Sequence, residues 1–137
     1  MSKWIMLAIL PALAILPAVG SAARAPASAG PKQAHMVFFG LKDRSAESRA
    51  KFVASCAKYL DGHKGVVSFS VGTIAEDAIE PRVGVTDFDV ALHLIFENRA
   101  AGQKYLVHPR HKAFVEENRA SFAKVQVFDS YLSEPAR

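Results

Sequence analysis

Thr86-Asp87-Phe88-Asp89-Val90-Ala91-Leu92-His93-Leu94-Ile95-Phe96 is the most regular run in the chain. Phe88, Val90, Leu92, Leu94 and Phe96 fall on one phase, and Asp87, Asp89, Ala91, His93 and Ile95 on the other. Alternation over this length predicts a β-strand with one wholly apolar face, because successive strand side chains point to opposite sides. The other face mixes carboxylates and a histidine with Ala91 and Ile95. It is too apolar for open water and too polar for a plain core.

Three more strands read outward from this one. Ala34 to Leu41 is rich in Val and Phe, as expected of a strand covered on both faces. Gly65 to Ile74 sets Val67, Phe69 and Val71 against Val66, Ser68, Ser70 and Gly72. Val125 to Leu132 returns as the last strand. Between the first two, Ser45 is placed to cap a helix with Glu47 in its first turn. Phe52, Val53, Cys56, Ala57 and Leu60 then recur at helical spacing up to Gly62, with Arg49, Lys51 and Lys58 toward water. Glu76 to Gly84 reads as an exposed loop.

After the alternating strand, Asn98 can cap a helix from Arg99 to Val107. Pro109 suits the first turn of the next helix, and His108 before it is pushed out of the α region, so the helix breaks and restarts. Phe114, Val115, Asn118 and Phe122 line that second piece. The order is strand, helix, strand, strand, split helix, strand. Right-handed crossovers then give an α+β, ferredoxin-like sandwich: a four-stranded antiparallel sheet with its helices on one face. The bare face is expected to be covered by a second copy of the chain, with Asp89 of one subunit meeting His93 or Ser70 of the other. Within one chain Asp89 and His93 would be about 13 Å apart along the strand, too far to pair.

The N-terminus reads differently. Met1-Ser2-Lys3 precedes an apolar run from Trp4 to Val19, broken only by Pro11 and Pro17, and then the small residues Gly20 to Ala25, interrupted by Arg24. A cleaved signal peptide over residues 1–25 and an uncleaved anchor both fit. The run is shorter than the ~20 apolar residues a spanning helix needs, and its prolines each remove a helix donor, which favours cleavage. The mature protein is then expected to begin near Ala22 to Pro26 and to be exported, periplasmic or extracellular, with no membrane association after cleavage. Residues 26–33 read as a flexible tether, 34–132 as the domain and 133–137 as a tail.

The 137 residues hold 17 basic and 13 acidic side chains. Loss of Lys3 and Arg24 with the first 25 residues leaves 15 against 13, and no block of Lys or Arg stands apart from acidic neighbours. No nucleic-acid footprint is visible. The single cysteine, Cys56, sits in the apolar stripe of the first helix and reads as a small core residue. No cofactor motif is present, and His108 with His111 supplies two metal ligands at most, short of the three or four a site requires.

Specific stretches carry a resemblance. His35-Met36-Val37-Phe38-Phe39-Gly40-Leu41-Lys42, Gly65 to Gly72, Phe88 to Phe96, and above all Tyr105-Leu106-Val107-His108-Pro109-Arg110-His111 are similar to the stress-responsive A/B barrel (Dabb) family of the dimeric α/β-barrel superfamily. The resemblance runs from about His35 to Leu132. It implies ferredoxin-like sheets paired back to back in a dimeric barrel, and it leaves the activity open, since the wider fold hosts monooxygenases, cyclases and stress proteins.

Tyr105, His108 and His111 cluster around the helix-to-helix joint. Two roles fit them. The bland one is a buried joint in which His108 caps a helix while Tyr105 and His111 bond to backbone. The chemical one is an acid–base pair, since imidazole titrates near neutral pH and a phenol can donate to a developing enolate or alkoxide. A cyclising plant branch of the family implies the second: tyrosine and histidine of this signature act as the pair, which places the roles on Tyr105 and His111 with His35 beside them. That branch carries a third-strand histidine where this chain has Val90. A pocket on the helix-covered face would be lined by Val37, Phe39, Phe88, Val90, Leu92 and His108 and would take a small apolar ligand. Three functions follow as expectations: a structural or interaction dimer, a small-molecule binder or cofactor-free enzyme, and a cofactor-free monooxygenase.

Overall fold

The structure, a computed structural model, describes residues 30–133, so the expected signal peptide and the C-terminal residues 134–137 lie outside it. β1 (Gln33–Leu41), α1 (Ala46–Leu60), β2 (Val66–Thr73), β3 (Val90–Phe96), α2 (Arg99–Val107), α3 (Pro109–Asn118) and β4 (Phe122–Tyr131) follow in order, with a 3-10 turn at Arg119–Ser121 before β4. The sheet order is β2-β3-β1-β4, every neighbouring pair antiparallel. This is the ferredoxin-like arrangement that the strand and helix order predicts. β1 begins at Gln33, the last residue that composition assigns to the tether, and the Leu132 amide donates to the Lys32 carbonyl at 2.9 Å.

Register explains the core. Val37 stands opposite Leu92 and Val127, and Phe39 opposite Val90 and Val125, so these side chains share the helix-covered face. Phe52, Cys56 and Leu60 come down from α1 at four-residue spacing, and Tyr105 and Phe114 come from α2 and α3. Ser45 caps α1 as its sequence position indicates, its side chain accepting from the Ser48 amide at 3.2 Å. Gly65, at φ +87°, lets the chain turn into β2 beneath α2; a Cβ there would lie 2.6 Å from that of Ala101.

Five expectations are corrected. β3 starts at Val90, because alternation breaks at Asp89. The Asp89 carboxylate turns inward and is 1% exposed. It accepts from the Leu41 amide at 2.8 Å, from Arg44 Nε at 2.9 Å and from Arg49 Nε at 3.0 Å. It is therefore the pin that ties the end of β1 and the start of α1 to the start of β3, and Arg49 is drawn in from the solvent face. Phe88 consequently leaves the core face and stacks edge-on against Phe38, ring centroids 5.0 Å apart, on the opposite side of the sheet. A bulge between Val66 and Ser68 puts Val66 against the core and leaves Val67 49% exposed. Phe122 belongs to β4 rather than to the preceding helix, opposite Leu41.

The face without helices carries Met36, Phe38, Ala91, His93 and Ile95, with Ser68 and Ser70 from β2 and Phe128 from β4. Phe38 touches Phe88, Phe128 and His93 there, and Phe128 is 56% exposed.

Candidate active site between sheet and helices

The joint at His108 forms as its proline requires. The His108 backbone is extended, at φ −65° and ψ 139°, its amide donates to the Tyr105 carbonyl at 3.1 Å, and its Nδ1 accepts from the Arg110 amide at 3.1 Å. Arg110 then donates to the Lys58 and Asp61 carbonyls, both at 3.0 Å, which fixes the new helix against the end of α1. The bend turns Tyr105 inward, leaving it 2% exposed.

Tyr105 is the centre of a ring of imidazoles. Ring centroids lie 4.7 Å from His111, 4.9 Å from His63 and 6.2 Å from His35. His35 is 8% exposed, and its Nδ1 lies 2.7 Å from Asp129 Oδ1, directly across the β1–β4 pairing. A carboxylate can only accept, so Nδ1 carries the proton and Nε2 of a neutral ring is left as the basic nitrogen.

Burial sets the protonation of the others. It raises the Tyr105 phenol above its ordinary 10, and the Cys56 thiol adds to the effect, so the hydroxyl stays protonated. His111 is held below its ordinary 6.5 by burial first; a bond to the Leu106 backbone opposes this, and His35 and His63 reinforce it. His63 is likewise lowered, chiefly by burial, although its Nε2 donates to the Tyr59 carbonyl at 2.9 Å. A neutral base, a neutral acid and a carboxylate-oriented histidine thus share one neighbourhood.

The space they face is small and apolar. A cavity of about 190 Å³ runs between sheet and helices, walled by Val37, Phe39 and Leu92 and headed by His35, Tyr105 and His111. Its rim is formed by Val115, Val125 and Val127, each more than a third exposed. A second hollow of about 200 Å³ adjoins it at His35 and Leu106 and contains Asp129. Tyr105, His111, His35, Val37, Phe39 and Leu92 therefore line one cavity. The other three do not line the cavity. Phe88 is across the sheet, Val90 is fully buried opposite Phe39, and His108 faces a separate cleft beside His63, ring centroids 4.6 Å apart.

Two members were not assigned from sequence. Asp129 follows Val125 and Val127 at period two and so must share their face, a signal that was present. His63 follows Gly62 in a turn, where periodicity says nothing. Among the described residues no three His, Cys, Asp or Glu side chains group as a metal site.

Fold and site together define a ferredoxin-like α+β domain with a buried tyrosine–histidine cluster over an apolar cavity. The chain belongs to the stress responsive A/B barrel domain family, which matches residues 34–132. Among solved structures, a Dabb family protein from Mesorhizobium loti with a ferredoxin-like fold is similar at 26% identity and TM-score 0.63, covering 77% of this chain and 100% of that one. A hydroxynitrile lyase from Passiflora edulis shares the fold at 18% identity and TM-score 0.63, covering 78% and 98%. A dimeric ferredoxin-like protein of unknown function from Thermobifida fusca does so at 14% and TM-score 0.60, covering 75% and 92%. No curated protein matches the chain.

Proposed function

We propose that this domain is exported, works as a homodimer through its bare sheet face, and binds a small apolar molecule on which it moves a proton without a cofactor. One observation carries the chemical part: the 2.7 Å contact between His35 and Asp129 beside Tyr105 and His111 at the head of the cavity. The carboxylate orients His35 as a base that takes a proton from a carbon next to a carbonyl. The Tyr105 hydroxyl, kept protonated by burial, donates to the oxygen on which charge develops. His111, kept neutral, returns or relays the proton.

Size narrows the ligand. An apolar cavity of about 150 Å³ is enough for benzene, so about 190 Å³ suits one ring with a single carbonyl. Together with Val90 in place of a strand histidine, this favours simple proton transfer over cyclisation. The Passiflora edulis lyase shares the fold alone, so the reading rests on the side chains here. Export rests on the reading of residues 1–25. The dimer is supported by the apolar sheet face and by the dimeric Thermobifida fusca protein.

Cyclohexanone is the test probe. Its addition in deuterated buffer should shift the Val37 and Leu92 methyl resonances saturably and should introduce deuterium beside the carbonyl faster than buffer alone. Asp129→Asn and His111→Ala should slow exchange while the melting temperature holds. If the methyls do not respond, or if the two variants lower stability and leave exchange untouched, the cluster is a structural joint and the proposal fails.

A further inference from the structure

A hollow larger than the one in the core lies elsewhere. It is a cleft of about 450 Å³ on the far side of Tyr105, between the turn from α1 into β2 and the first turns of α2. Its wall is the Tyr105 ring with His63 and His108, whose rings meet edge to face at 82°. His108 Nδ1 is engaged by the Arg110 amide, which leaves Nε2–H as its donor, and His63 Nε2 is spent on the Tyr59 carbonyl. Lys64 and Lys104 stand at the edges, both exposed and, among the described residues, without an ion-pair or hydrogen-bond partner. Glu97 is the acidic residue of the lining. Asn98 caps the start of α2, and Ala100 brings the first turn of that helix to the cleft, where the dipole favours negative charge.

We propose that this cleft binds an organic carboxylate, with Lys64, Lys104 and His108 Nε2–H around the carboxylate and the Tyr105–His63 wall against the carbon skeleton. The charge decides between anions. Two ammonium groups and one carboxylate leave a single positive charge when the imidazoles are neutral, which matches a monoanion. No arginine lines the cleft to supply the two-pronged donor that suits a phosphate. Burial and the nearby Arg110 and His108 hold His63 toward its neutral form, in keeping with that count. The inference is independent of proton transfer in the core cavity, with which the cleft shares Tyr105 as a wall.

Sodium benzoate and its neutral counterpart benzamide, titrated at constant ionic strength into ¹⁵N-labelled protein, test it through the Gly65 and Ala101 amide resonances. Benzoate should saturate and bind at least tenfold more tightly than benzamide. Lys64→Ala with Lys104→Ala should weaken benzoate at least tenfold and leave benzamide and cyclohexanone responses unchanged. Ala100→Trp, on the exposed lip, should block both aromatic probes. Equal binding of benzoate and benzamide, an unaltered affinity in the double lysine variant, or the absence of saturation overturns the proposal. Displacement of benzoate by inorganic phosphate at matched ionic strength overturns the choice of a carboxylate. Because cyclohexanone reports the core cavity, failure here is distinguishable from failure there.

Discussion

Replacing Asp89 by Asn removes one negative charge and keeps the shape, so it isolates what the buried carboxylate contributes. The oxygen facing the Leu41 amide can be retained, whereas the new NH₂ group is a donor turned toward two donors. The two arginines do not count equally. The Arg44 side chain is 55% exposed, so solvent screens its share to about 1 kcal/mol or less. The Arg49 side chain is 16% exposed, and its charged hydrogen bonds to Asp89 contribute about 1.5–3 kcal/mol. The expected loss is about 3 kcal/mol, toward the lower end for a broken buried pair. For a domain of this size that is a fall in Tm of about 15 °C, measured by circular dichroism at pH 7. A double-mutant cycle with Arg49→Met should recover most of it as coupling, and one with Arg44→Ala should recover little. pH adds an independent arm. Burial pushes the Asp89 pKa up, but the Leu41 amide and the two guanidiniums outweigh it and hold the value below the ordinary 3.8. The contribution is thus complete above the ordinary value and disappears as pH falls through the lower folded one, so wild type and Asp89→Asn should converge in strong acid. A drop under 4 °C at pH 7, or equal coupling to both arginines, would refute the reasoning.

Three other outcomes are expected. His63 and His111 both titrate below 6.5 in the folded chain, so the unfolded chain takes up protons first; stability should be full above about pH 6.5 and decline as pH falls toward the folded values, less steeply in His111→Gln, as thermal melts from pH 7.5 to 5 would show. Cys56 is fully buried and its thiol is pushed up to about 12, so a disulfide-exchange reagent should label it in urea and not in buffer; rapid native labelling would contradict the packing of α1. Phe128→Asp, on the bare sheet face, should convert a dimer to monomers in sedimentation velocity with little loss of helix signal, and a monomeric wild type at micromolar concentration would remove the dimer proposal.

The fold was legible because most of it rests on local periodicity. Val37, Phe39, Leu92 and Leu94 alternate, Phe52, Cys56 and Leu60 repeat every four, and Pro109 marks its own helix break. Reading failed where a side chain answers to a distant partner. Asp89 looks like the next outward residue of a strand until Arg44, just before α1, and Arg49, within it, arrive to pay for its burial, and that inward turn is what sends Phe88 to the other face. The site was half legible. Tyr105 and His111 lie six residues apart across one helix joint, whereas the Asp129 bond to His35 depends on the register of two strands at opposite ends of the domain.

That register has a kinetic consequence. β1, the first strand of the domain to be synthesised, is central, and one of its two partners is the last strand, from Leu41 opposite Phe122 to Gln33 opposite Tyr131. The loop that must close is almost the whole domain, so its entropy cost is met before any of the β1–β4 hydrogen bonds is gained. The sheet cannot be completed while the C-terminal residues are still being made, and β1 keeps one edge unpaired until then, although its pairing with β3 needs only the chain up to Phe96. Deleting β4 would leave β1 as an open edge that presents unpaired amides and carbonyls to other chains. The cost of such a truncation would therefore be read as aggregation rather than as a lower melting temperature.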